Sequence, residues 1–142
     1  MAGISVTRRD NTTLECELSG LIRSSDIALM RTQLEAFIAT AANADAHSIV
    51  VIETASMTGF GDDVRTPTIE LLRDIHREGV QLIVGVATSV FARMTGYAIA
   101  MSAGIPLRVA HHVDQVDAIL DEELKKRSHR AAMAARMTAR AR

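Results

Sequence analysis

Aromatic side chains are nearly missing from this chain: its 142 residues include no tryptophan, one tyrosine and three phenylalanines. So thin a supply argues against the base-stacking platforms of single-stranded nucleic-acid binders. One cysteine excludes an intrachain disulfide and points to a reducing, cytoplasmic setting. No apolar run reaches the roughly 18 residues that a membrane-spanning helix needs. The opening Met1-Ala2-Gly3-Ile4-Ser5 lacks the basic and apolar regions of a signal peptide. Membrane and secretory classes are therefore not expected.

What is present is an ordinary globular mixture, 48% hydrophobic and 23% charged, in a length that suits one domain. The net charge of −1 hides an asymmetry. Residues 125–142 hold seven basic side chains and no acid, so residues 1–124 carry −8. An acidic body with a basic tail often marks an interaction arm.

Hydrophobic periodicity orders the chain. Ile4 to Arg8 alternates, Asp10-Asn11-Thr12 is turn chemistry, and Thr13 to Leu18 alternates again, which predicts a hairpin. Cys16 falls on the apolar face and reads as a core residue rather than a reactive thiol. Gly20 is expected to break the strand, and Ser24-Ser25-Asp26 to cap a helix from Asp26 to about Ala42, with Ile27, Met30, Leu34, Phe37, Ile38 and Ala41 inward. Ser48 to Ile52 reads as a strand buried on both faces, and Glu53 to Gly61 as a loop.

Asp62-Asp63 are placed to cap a second helix, with Pro67 in its first turn and Ile69, Leu72, Ile75 and His76 inward, ending at Gly79. Val80 to Ala87 is the next buried strand. Thr88-Ser89 cap a third helix to about Ala103, closed by Gly104. Ile105 to Val109 is a short strand. A last helix from His112, with Val113, Val116, Ile119, Leu120 and Leu124 inward, continues into the tail. The order β-β-α-β-α-β-α-β-α predicts a mostly parallel α/β sheet of about five strands, with an antiparallel hairpin at its start.

Chemistry is harder to find. Glu53, Asp62 and Asp63 offer three carboxylates to a hard cation, yet helix capping is a sufficient task for the two aspartates. Thr58-Gly59-Phe60-Gly61 has glycines but no phosphate-loop spacing, and the acids after it repel phosphate. No nucleophile elbow occurs, and His47, His76, His111, His112 and His129 show no metal-ligand spacing. The sequence calls for no cofactor, metal or catalytic residue.

Helix three stands apart. Only Arg93 is charged in it; Phe91, Met94, Ala98 and Met101 form one stripe, and Val90, Tyr97 and Ala100 widen the apolar surface. Such a helix is either tucked between the sheet and the last helix or exposed as an interface. The tail (Lys125, Lys126, Arg127, Arg130, Arg136, Arg140, Arg142), rich in alanine and arginine, reads as a soluble helical extension. Its second reading is an arm for an acidic partner, ahead of nucleic acid. A membrane-surface helix ranks last, since bulky anchors are absent.

From Ser48 to Leu120 the order and spacing resemble a STAS, or SpoIIAA-like, domain, the fold of anti-sigma factor antagonists. The resemblance lies in the strand Ile49-Val50-Val51-Ile52, in Glu53 where the family usually has Asp, in the helix end Arg77-Glu78-Gly79-Val80-Gln81-Leu82, and in the closing segment Ala110 to Leu120. With the hairpin and first helix it spans residues 4–121. Family members carry Asp-Ser-(Ser/Thr)-Gly-Leu at the start of the second helix, where a partner kinase phosphorylates the hydroxyl. Here that position falls on Gly61-Asp62-Asp63-Val64, so an acid stands in place of the phosphoacceptor, and Thr58, Thr66 and Thr68 are out of register.

The resemblance implies a non-enzymatic fold; together with the missing catalytic constellation and the apolar third helix it leads to the expectation of a protein-binding regulatory or scaffold module at 1–124, with a basic tail at 125–142. It would dock through Asp62, Asp63 and Thr66 at the second helix and through Phe91, Met94, Tyr97, Ala98 and Met101 on the third, the latter also serving a homodimer. The alternative is a small-molecule or lipid-binding domain of the same fold class, using a pocket between sheet and helices lined by methionine. A third possibility, an enzyme using Glu53, Asp62 and Asp63, rests on those carboxylates alone.

Overall fold

The computed structural model describes residues 3–141; Met1, Ala2 and the basic residue Arg142 lie outside them. Strands β1 (Gly3–Arg8) and β2 (Thr13–Ile22) form the expected hairpin, with Val6 opposite Cys16 and Ile4 opposite Leu18. Asp10 holds its turn by accepting from the Thr12 amide at 2.8 Å. Burial alone would raise the pKa of Asp10, but hydrogen bonds from Thr12 and Thr13 outweigh it and hold the carboxyl below its usual range. Helix α1 (Ser24–Thr40) follows, with Ile27, Met30 and Leu34 buried and Phe37 and Ile38 packed beside them.

Strand β3 (Ile49–Phe60) corrects the sequence reading. Glu53 to Phe60 is not a loop: it continues the strand and pairs in parallel with the second half of β2, through Ser19–Ser56, Gly20–Met57 and Ile22–Phe60. Gly20 does not break β2 either. It takes a left-handed φ of 74° beside the register shift between Gly20 and Leu21. The shifts disturb the two-residue alternation, which is why the pattern beyond Glu53 reads as irregular.

Helix α2 (Arg65–Arg77), strand β4 (Leu82–Val86), helix α3 (Val90–Ala103), strand β5 (Leu107–Ala110), a 3-10 turn (Val113–Gln115) and helix α4 (Val116–Arg140) complete the chain. The sheet order is β1-β2-β3-β4-β5, antiparallel only at the hairpin. Because each parallel crossover steps to the next strand in one direction, right-handedness puts α1, α2 and α3 on a single face. Their residues share one core with Leu14, Cys16, Val50 and Ile83. α4 covers the opposite face, where Val116 and Leu120 meet Ile49, Val51, Val84 and Val86. Arg108 fastens β5 to α4 through Glu123 at 3.0 Å and Glu122 at 3.1 Å.

Two smaller expectations change, and His47 takes a packing role. His76 is exposed and its Nδ1 meets the carbonyl of Val80, beyond the end of the helix, while Leu71 takes the buried place. Val113 is exposed in the 3-10 turn, one residue group too early to face the sheet. His47 is buried, with Nε2 2.9 Å from the Glu78 carbonyl. Gly79, at a φ of 114°, passes so close that a Cβ there would stand 3.2 Å from that ring nitrogen.

Candidate functional site

Thr88-Ser89 turn the chain from β4 into α3. The Ser89 hydroxyl caps the helix by accepting from the Ala92 amide at 3.1 Å, and Gly104 ends it. Arg93 braces the same turn, donating from Nη1 to the carbonyls of Thr88 at 3.1 Å and Ala87 at 3.3 Å. Inward, the C-terminal half of α3 buries Ile99, Ala100 and Ala103. Outward, it exposes Phe91 by 73%, Met101 by 81%, and Val90, Met94 and Tyr97 by half or more.

α3 is therefore not tucked between the sheet and the last helix, because α4 lies across the sheet. Four of the five expected α3 contact residues stand together on an exposed face, with Ala98 half-buried among them. A contiguous apolar patch of that kind is unusual on a surface without a partner.

The N-terminal half of α3 stands over a void. Its inward residues are small (Ala92, Thr95, Gly96), and the strand below offers Gly85. Between them lies a cavity of about 150 Å³ walled by Met57, Phe60, Leu72, Ile83 and Leu107. A space of this volume and apolarity, open to solvent at its mouth, suits an apolar guest of about benzene size. It lies at the carboxyl end of β3 and β4, the edge at which open α/β sheets bind ligands.

Asp62 and Asp63 do not cap α2. The helix begins at Arg65, its N-cap position is Val64, and no side chain caps it. Asp63 instead folds over Gly61, where an added Cβ would meet its Oδ1 at 2.8 Å. Both aspartates and Thr66 are exposed, whereas Val64 and Thr68 line the cavity, so the start of α2 forms the rim opposite the first turn of α3. Glu53 is elsewhere, in β3 opposite Glu17 of β2. Among the described residues no three His, Cys, Asp or Glu side chains gather to hold a metal, so the carboxylate trio is not assembled.

The basic tail continues α4. Lys126 reaches Glu123 at 3.5 Å and Glu122 at 3.7 Å, and Arg127 donates to the Ser48 hydroxyl at 2.7 Å. Lys125, Arg130, Arg136 and Arg140 are exposed, as is every described residue from Ser128 onward. Cys16 is buried in the core, where burial and the neighbouring Glu15 push its thiol up to about 12, the opposite of a reactive cysteine.

The methionines Met30 and Met57, which the sequence offers for a pocket between sheet and helices, do line the cavity, but its position is not legible because its walls come from β2, β3, β4, β5 and all three helices of that face. A further signal within the sequence is the small trio Ala92, Thr95 and Gly96 in the first half of α3.

No protein-family model matches the sequence, and no curated protein matches it closely enough to serve as a relative. Solved structures do match its shape. An uncharacterised protein of the DUF3478 family from Shewanella loihica PV-4, described as having a SpoIIAA-like fold, superposes with a TM-score of 0.60 at 14% identity, covering 83% of this chain and 90% of the other. The unphosphorylated anti-sigma factor antagonist SpoIIAA gives 0.58 at 10% identity, over 82% and 97%. An anti-sigma factor antagonist from Mycobacterium paratuberculosis gives 0.56 at 13% identity, over 84% and 93%. At such identities the likeness concerns the backbone, and with the hairpin, the parallel order and the helix placement it shows that this chain has the SpoIIAA-like fold.

Proposed function

We propose that this protein is a non-enzymatic, STAS-type regulatory or scaffold module that works by binding protein. Residues 1–124 act as the domain and 125–142 as a basic arm. The observation that carries the reading is the outer face of α3, where Phe91, Met94, Tyr97 and Met101 are exposed together. Asp62, Asp63 and Thr66 extend that surface across the rim to α2. The fold shared with two anti-sigma factor antagonists supports the regulatory class.

The occupant we expect on α3 is a second copy of the chain, in a cytoplasmic homodimer. Met94→Arg puts a charge at the centre of the patch without disturbing a buried contact, so the variant stays folded. Size-exclusion chromatography with light scattering should show a dimer for the native chain and a monomer for the variant. A native chain already monomeric at tens of micromolar overturns the homodimer, since a modest interface would still associate there.

The cavity favours a second reading, a domain that carries a small apolar ligand. Native mass spectrometry of the purified protein tests it: a copurifying compound of low mass supports a carrier, and its release on unfolding places it in the interior.

A further inference from the structure

We propose that the cavity beneath α3 takes a medium-chain alkyl carboxylate, with Arg93 binding its head group. This rests on the second reading above, that the cavity is a ligand site, and adds what the ligand must be.

The tail of the ligand follows from the walls. Met57, Phe60, Leu72, Ile83 and Leu107 offer hydrocarbon and sulfur, and the volume of about 150 Å³ holds on the order of six carbons. The head group follows from charge. Among the described residues Arg93 is the sole charged side chain lining the cavity. Its Nη1 is engaged by the Ala87 and Thr88 carbonyls, and a guanidinium has further N–H groups to give.

Among the described residues three of the four other half-buried arginines have carboxylates beside them, and the fourth, Arg127, donates to the Ser48 hydroxyl instead. Arg9 has Glu15 at 3.0 Å, Arg31 has Asp74 at 2.9 Å, and Arg108 has Glu123 at 3.0 Å. Arg93 has no such partner among the described residues. It also sits in the opening of α3, with no acid in the first turn, where a cation opposes the helix dipole. A carboxylate at this rim would relieve both conditions. Asp62 and Asp63 stand exposed on the far side of the rim, which disfavours a dianionic phosphate and leaves a monoanion as the better fit.

The test uses the full chain with three probes: sodium octanoate, 1-octanol and octyl phosphate. Methyl chemical shifts of Met57, Leu72 and Ile83 report occupancy of the cavity, and titration gives the affinity. Octanoate should move those methyls and bind at least about tenfold more tightly than octanol, although octanol is the more readily desolvated. Octyl phosphate should be the weaker anion. Arg93→Gln should remove the advantage of octanoate and leave octanol unchanged.

Octanoate and octanol binding alike would overturn the carboxylate assignment and leave the cavity a ligand site. No methyl shift with any probe would overturn the ligand reading as well. The comparison of octanoate with octanol on the native chain needs no variant, so a poorly folding Arg93→Gln does not blunt it.

Discussion

Cys16 illustrates how one side chain sets a pH limit on the fold. Its thiol is buried, and its pKa is pushed from 9.0 up to about 12 by burial first and by Glu15 second. The folded value exceeds the unfolded one, so the neutral thiol's contribution is complete below about pH 9 and is lost as pH rises toward 12. Denaturant midpoints should fall above pH 9, by up to about 1.4 kcal/mol per pH unit, and Cys16→Ala should flatten that slope while lowering stability at neutral pH. Parallel alkaline slopes in the two proteins would contradict this. Gly96 acts in the other direction. A Cβ there meets nothing nearer than Leu107 at 3.9 Å, at the edge of the cavity. Gly96→Ala should therefore raise stability by about 1 kcal/mol, measured by the same denaturant titrations, through helix propensity alone.

At the scale of elements, legibility followed the strength of local signals. α3 was readable at both ends because Ser89 supplies a cap and Gly104 a stop. The second half of β3 was not, because register shifts against β2 erase the alternation that betrays a strand. The stripe of Phe91, Met94 and Met101 on α3 was legible too, but a helix apolar almost all round does not tell whether that stripe is exposed or tucked against the last helix. α2 began later than its aspartates suggested, since Val64 rather than Asp62 or Asp63 occupies the N-cap position. That leaves two fixed negative charges, and no hydroxyl, at the place where the STAS-like resemblance puts a phosphoacceptor. Mass spectrometry of the protein from its own cells should find no stoichiometric phosphate on Thr58, Thr66 or Thr68. For Thr68 there is a structural reason besides register, because its hydroxyl is half-buried and donates to the Val64 carbonyl at 2.8 Å.

Across the whole molecule, charge is segregated along α4. The stretch that packs on the sheet carries Asp117, Asp121, Glu122 and Glu123, and the stretch beyond it is basic. At 100° per residue, Lys125, Lys126, Arg130, Arg136 and Arg140 fall within one sector of roughly 140°, opposite Ala131 and Ala135. Among the described residues from Ser128 onward none is buried, so about 20 Å of helix has no core to stabilise it beyond alanine propensity. Removing residues 128–142 keeps the Arg127 contact to Ser48, takes away four arginines and moves the net charge from −1 to −5. The melting temperature should change by less than about 2 °C at low and high salt alike, because no buried apolar area is lost. Binding to an acidic polymer such as polyglutamate should be measurable for the full chain at low ionic strength, fade as salt is added, and vanish in the truncated chain. If instead the arm lies on the acidic surface of its own domain or of a dimer mate, truncation will lower the melting temperature by several degrees. Added salt will then produce the same drop in the intact protein, and that result would rule out a free arm.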